Sequence, residues 1–224
     1  MSELEDVYWQ RVAKYCKRLR VVPFVKMVAV CNSLAMGDFD EDSDIDLFVV
    51  ARRGRLFVVR FLITMIMHLS GVRRHGEKVK GRFCLSFFVD ERAANLEKIA
   101  IQDDIYLARW VVSLWPVIEE ERYGDVFVRE NEWVYQGLVK GRRGLNRRRL
   151  LKVGGIGAKV RSGLEWILGG RLGNWVEKRM RGWQIRRFEK KFVPTAENKD
   201  GVIVNELMLK FHEKDRRREY RDGA

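Results

Sequence analysis

Val28-Ala-Val-Cys-Asn-Ser-Leu-Ala-Met-Gly-Asp-Phe-Asp-Glu-Asp-Ser-Asp-Ile-Asp-Leu-Phe-Val-Val50 carries the reading of this chain. Val25 to Val30 is a short apolar run bounded by polar turn residues, which predicts a strand. Ile45 to Val50 is rich in β-branched and aromatic residues and predicts a second. Asn32 to Ser43 between them reads as a loop with room for one short helical turn. Asp44 and Asp46 stand two apart at the start of the second strand. Alternate strand residues share a face, so both carboxylates converge at a strand end beside a loop. Two carboxylates held together repel unless a cation neutralises them. Such oxygen ligands suit magnesium, which keeps several waters and takes phosphate oxygens as further ligands. Asp38, Asp40, Glu41 and Asp42 deepen the negative potential. A bare Asp-x-Asp is more often just an acidic surface turn before a strand.

Outward from this stretch, residues 4–20 have apolar side chains at helical spacing, and Pro23 ends the run. Gly54 opens a helix to about Ser70, a basic loop spans Gly71 to Gly81, and Arg82 to Val89 predicts a third strand. Helices are expected over Leu96 to Leu114, where Pro116 stops the pattern, over Tyr123 to Leu138, and from Leu164 to about Phe192. Gly201 to Leu209 fits a strand or a helix start, and Lys214 to Ala224 is charged and expected to fray. Lys140 to Leu164 holds nine Lys/Arg, no acid and six glycines, which predicts a linker in part.

The expected fold class is α+β: a small mixed sheet flanked by helices, followed by a mainly helical C-terminal part. The expected division is residues 1–95 around the motif, 96–139 as a helical extension, and 140–224 as a basic, mainly helical region. The 224 residues suffice for one sizeable core or two small domains. The most apolar stretch, Leu56 to Val72, is interrupted by Arg60 and His68, and a membrane span needs roughly 20 apolar residues. It reads as a buried helix with His68 as a core histidine, and no transmembrane segment is expected. Cys16, Cys31 and Cys84 are too few and too scattered for a disulfide framework or a zinc site. Met1 to Arg20 lacks the apolar core of a signal peptide. A cytoplasmic location is the expectation.

The wider motif resembles the signature of the DNA polymerase beta-like nucleotidyltransferase superfamily. There a strand leads to a glycine-serine turn, a second glycine follows four residues after the serine, and Ser-Asp-x-Asp-Leu comes next. Here the strand ends at Cys31, Asn32-Ser33 makes the turn, Gly37 follows, and Ser43 to Leu47 completes the pattern. With the next helix and strand the likeness covers roughly residues 22–92. It implies that Asp44 and Asp46 hold magnesium, one ion or two. It also implies that Ser33 and its turn, with Asn32, Gly37 and Ser43, hold a nucleoside triphosphate. The implied reaction is attack by an acceptor hydroxyl on the α-phosphate, with pyrophosphate leaving.

Two departures stand out. Asn32 replaces the glycine before the serine, although asparagine tolerates left-handed backbone angles better than most residues. The family's third carboxylate has no obvious counterpart: the middle of the third strand offers Cys84 or Ser86, and Asp90 shares their parity only at the strand's end. Asp90 is the candidate third acid. Without one, the domain would bind nucleotide with little or no turnover.

Other signals are weaker. Asp103, Asp104, Tyr106 and Trp110 read as helix-start acids and core aromatics. The loop with Arg73, Arg74, His75, Lys78 and Lys80 could approach a triphosphate. Residues 137–224 hold 24 Lys/Arg against 10 Asp/Glu, whereas residues 1–136 hold 20 against 21. All the positive excess is therefore in the second half, which attracts polyanions. Trp166, Trp175 and Trp183 among its arginines fit RNA binding, an anionic membrane surface, or simple docking on the rest of the chain. Two functions follow as expectations: nucleotidyl transfer to a hydroxyl on RNA, a protein or a small molecule, or a catalytically impaired module holding RNA.

Overall fold

The structure is a computed structural model that describes residues 3–136, 139, 143–152, 154–191, 201–211 and 217. Among the described residues, six strands form one sheet in the order β4-β1-β2-β3-β6-β5. They are β1 (Val25–Cys31), β2 (Ile45–Ala51), β3 (Phe83–Asp90), β4 (Trp115–Glu119), β5 (Val202–Val204) and β6 (Met208–Phe211). The helices are α1 (Glu3–Cys16), α2 (Asn32–Met36), α3 (Leu56–Leu69), α4 (Ile105–Ser113), α5 (Tyr123–Glu130), α6 (Ile156–Leu168) and α7 (Arg171–Lys191). The α+β class stands, with the sheet covered on both faces.

Every residue of β2 is buried. A strand buried on both faces reads as a continuous apolar run, which is why Leu-Phe-Val-Val carries no alternation. Ile45, Leu47 and Val49 pack into the layer that contains α1 and α3 residues. Phe48 and Val50 pack into the opposite layer, with Trp110 of α4 and Phe127 of α5. Phe48 meets the rings of Phe87, Trp110 and Phe127 at 5.0, 5.2 and 5.5 Å.

One topological fact positions everything that follows. β1 and β2 are antiparallel, whereas β2 and β3 are parallel, joined through α3. The end of β1 and the starts of β2 and β3 therefore lie at the same edge of the sheet. The ends of β2 and β3 lie at the opposite edge.

The structure corrects several expectations. The stretch Leu96 to Leu114 is a 3-10 turn followed by the shorter α4, and β4 follows directly. Pro116 did stop the helix, but it sits in a strand; among the described residues β4 is the sheet's edge and pairs with β1 alone, so a missing N–H is tolerated. The long helix from Leu164 is two helices, starting at Ile156 and broken at Gly169 and Gly170. Within the presumed linker, Leu145 is buried and Arg147 bonds Glu119 and Asp125 at 2.6 and 2.7 Å, so this part docks on β4 and α5. His68 is exposed rather than in the core. The single sheet takes β4 from the middle segment and β5 and β6 from the last, so it crosses the expected three-way division. The expected fraying beyond Lys214 lies outside the described residues except at Arg217, which is buried and bonds Ile99 O and Asp104.

Candidate functional site

Asp46 opposes Cys31 on one side and Cys84 on the other. The shared edge thus collects Asp44, Asp46 and Cys84, whose ligand atoms lie within 4.8 Å of one another. Asp46 is buried, and its carboxyl is pushed up to about 6 by that burial and by the Asp44 charge. Hydrogen bonds from the Asn32 and Cys84 side chains and the charge of Arg74 pull it back down only in part. Burial, with the neighbouring acids, raises both the Cys31 and the Cys84 thiols well above their ordinary range.

The Asn32-Ser33 turn reaches the same edge. Asn32 has φ 55°, a left-handed conformation that asparagine tolerates better than most residues. Its side-chain oxygen accepts a 2.6 Å hydrogen bond from the Trp110 indole N–H. The Ser33 carbonyl accepts from the Gly37 and Asp38 N–H groups, and its hydroxyl has no partner among the described residues. Gly37 closes α2 at φ 80°, where a side chain would be strained. Ser43 serves the loop itself: its hydroxyl donates to Asp40 at 2.8 Å, and its carbonyl accepts from Tyr8 Oη and the Gly81 N–H.

The basic loop is zipped to β3. Arg74 N–H donates to Phe83 O, and Phe83 N–H donates to Val72 O. This places the Arg74 guanidinium 2.6 Å from Asp44 Oδ2, in a pair whose arginine side is 45% exposed. The sequence motif does not contain Arg74 or Trp110. Arg74 was visible only as one of several loop cations, and Trp110 as a core aromatic.

Asp90 does not join Asp44 and Asp46. Six residues beyond Cys84, at roughly 3.3 Å each, put it about 20 Å away at the opposite edge. The parity argument also fails, because the β2–β3 register shifts between Asp46 and Phe48. The extra β3 residue there puts Phe87 and Val89 in the layer beside Phe48, and Phe88 in the other. Asp90 follows Phe88 onto the wrong face. Its buried carboxylate accepts from the Gly54 N–H, the Arg92 N–H and the Arg92 guanidinium at 2.7 to 3.1 Å. It clamps the turn before α3.

Two converging carboxylates, Asp46 buried and Asp44 paired with a half-exposed arginine, are short of positive charge. That donor set suits one hard divalent cation whose remaining ligands are water and phosphate. The Cys84 thiol is too soft to serve magnesium as a third carboxylate would. A profile described as nucleotidyltransferase domain matches residues 10–191, more than three quarters of the chain. The chain belongs to that family. As a nucleotidyltransferase-domain protein it is a transferase by family, and the family typically uses divalent metals. No curated protein and no solved structure matches it significantly. No described helix is long and apolar enough to cross a membrane.

Proposed function

We propose that this protein transfers a nucleoside monophosphate from a nucleoside triphosphate to a hydroxyl acceptor. The observation that carries the reading is the convergence of Asp44 and Asp46 beside the Asn32-Ser33 turn. Asp44 and Asp46 are the residues that would hold magnesium. When bound, the ion would neutralise phosphate charge and polarise the phosphorus that is attacked.

The chain's own groups do the positioning. Trp110 fixes the Asn32 amide, and Asn32 steadies Asp46. The Ser33 hydroxyl is available to a phosphate oxygen. Arg74 stands at the mouth and exchanges Asp44 for the arriving triphosphate, since an ion pair this exposed holds by no more than about 1 kcal/mol. Phosphoryl chemistry asks a protein chiefly for such placement and charge compensation. The acceptor is a hydroxyl on RNA, a protein or a small molecule.

A thermal-shift titration tests this, with each triphosphate, with and without magnesium, on wild type and on Asp44→Asn and Asp46→Asn. A ligand selective for the folded state stabilises by about 2.7 kcal/mol at a hundredfold excess over Kd. Stabilisation that needs magnesium and both aspartates supports the site; none with any triphosphate sinks it. One observation favours a second reading, a binding module with little turnover: Cys84 stands where a third carboxylate would. Pyrophosphate release in the presence of acceptor separates the two readings.

A further inference from the structure

We infer that the outward face of the α6–α7 hairpin docks this protein on an anionic phospholipid surface. The first helix of the hairpin is built largely inside out, with Leu168 its one apolar side chain packed against the core. An ordinary surface helix turns its apolar stripe inward and its charges to water. α6 does the reverse. Its Arg161 is buried and donates to Val25 O at 3.0 Å and to Glu120 at 2.9 Å. Glu165 accepts from Arg161 and from the Phe24 N–H. On the other side of the same helix Ile156, Val160, Trp166 and Ile167 are exposed, at 83, 44, 85 and 50%. Their spacing of four, six and one places them on one stripe with Lys159 and Gly163.

α7 extends this face past the Gly169-Gly170 turn. It packs inward through Phe188, Met180 and Ile185, through Glu177, which accepts the Phe57 and Val58 N–H groups at the start of α3, and through Gln184, which bonds Arg60 and Phe57 O. Leu172, Trp175 and Trp183 point outward at 51, 57 and 46% exposure. Lys178, Arg179, Arg186 and Arg187 are exposed with them. Residues 156–191 carry ten Lys/Arg and three Asp/Glu, and two of those three acids, Glu165 and Glu177, are engaged inward.

Three occupants compete for an exposed apolar patch of this kind. A second copy would bring a face of the same strong positive charge against this one. RNA would use the cations and stack on the tryptophans, but it leaves the four exposed aliphatic side chains in water. An anionic bilayer uses all of it: headgroup phosphates for the Lys/Arg ring, the interfacial zone for tryptophan, and acyl chains for Ile156, Val160, Ile167 and Leu172. With no helix able to span, the hairpin lies in the surface rather than across it.

Vesicle flotation of the full chain is the test, with phosphatidylglycerol–phosphatidylcholine vesicles against pure phosphatidylcholine at low salt. Wild type is expected to float with the anionic vesicles alone. Trp166→Ala/Ile167→Ala, at sites too exposed to affect folding, should weaken binding at least tenfold with an unchanged melting temperature. Lys178→Glu/Arg179→Glu should abolish it. Brominated lipid should quench wild type more than Trp166→Phe. Failure of wild type to float with anionic vesicles overturns the assignment, as does undiminished binding by the Trp166/Ile167 variant. Capture of single-stranded RNA, or dimerisation, that depends on Trp166 and Ile167 while vesicles are ignored overturns it equally, and gives the face to that partner.

Discussion

The Trp110 indole N–H donates to the Asn32 side-chain oxygen across 78 residues of sequence, at 2.6 Å. Asn32 in turn hydrogen-bonds Asp46. An amide whose oxygen is held must present its NH2 in one direction, so the indole sets how Asp46 is met. Trp110→Phe keeps the ring in the core and removes only the N–H. The expected loss of stability is about 1 kcal/mol, the worth of one ordinary hydrogen bond. Turnover should fall roughly tenfold with KM little changed, as expected when a reacting geometry loosens. Unchanged kcat would show that the bond only supports the fold.

Arg74 leads to the opposite kinetic signature. Its pairing with Asp44 is half exposed, so Arg74→Ala should change the melting temperature little. If Arg74 receives the triphosphate, KM for the nucleotide rises about tenfold in Arg74→Ala, and Arg74→Lys recovers part of it. Steady-state kinetics with varied triphosphate reads this directly.

Asp90 separates structural from catalytic acids. It is fully buried under four hydrogen bonds from Gly54 and Arg92. Removing a buried charged acceptor and stranding its donors costs about 3 kcal/mol. Asp90→Ala should therefore lower stability by about that much in denaturant unfolding. Its dependence on divalent-ion concentration, measured on the folded fraction, should match wild type.

Acid should weaken the attachment of α6. Burial pushes Glu120 upward, but the Lys26 hydrogen bond and the charges of Lys26, Arg161 and Arg52 outweigh it and hold the carboxyl below its ordinary 4.5. A carboxyl lowered in the folded state contributes stability that is fully present above the unfolded value and is lost as pH falls through the folded one. Melting temperatures between pH 7 and 3 should fall more steeply below about pH 4.5 in wild type than in Glu120→Gln, which has no such charge to lose.

What the sequence made legible was local. Asp44, Asp46, Asn32, Ser33 and Gly37 lie within one strand-turn-strand unit, where spacing alone sets faces and turns. Cys84 was named as a mid-strand position, but its role depends on pairing with β2. Arg74 and Trp110 reach the site from a loop and a helix whose placement no local pattern encodes. β4 was hidden by its proline, and the α6–α7 break by reading one apolar stripe through two glycines. Nor does periodicity say which side of a helix meets the protein, and much of this stripe faces outward. Asp90 misled because counting by twos assumes an uninterrupted ladder.

The extra residue in β3 changes which face its alternate side chains meet partway along the strand. Beyond it, Phe87 to Val89 are held in both core layers by packing. Before it, Phe83 and Leu85 are also held in the core, while Cys84 between them meets Asp44 and Asp46 at the sheet's edge. A change of donor at Cys84, to a carboxylate or back, leaves the interior as it is. The chemistry of this edge can thus be exchanged by single substitutions while the fold keeps the same interior.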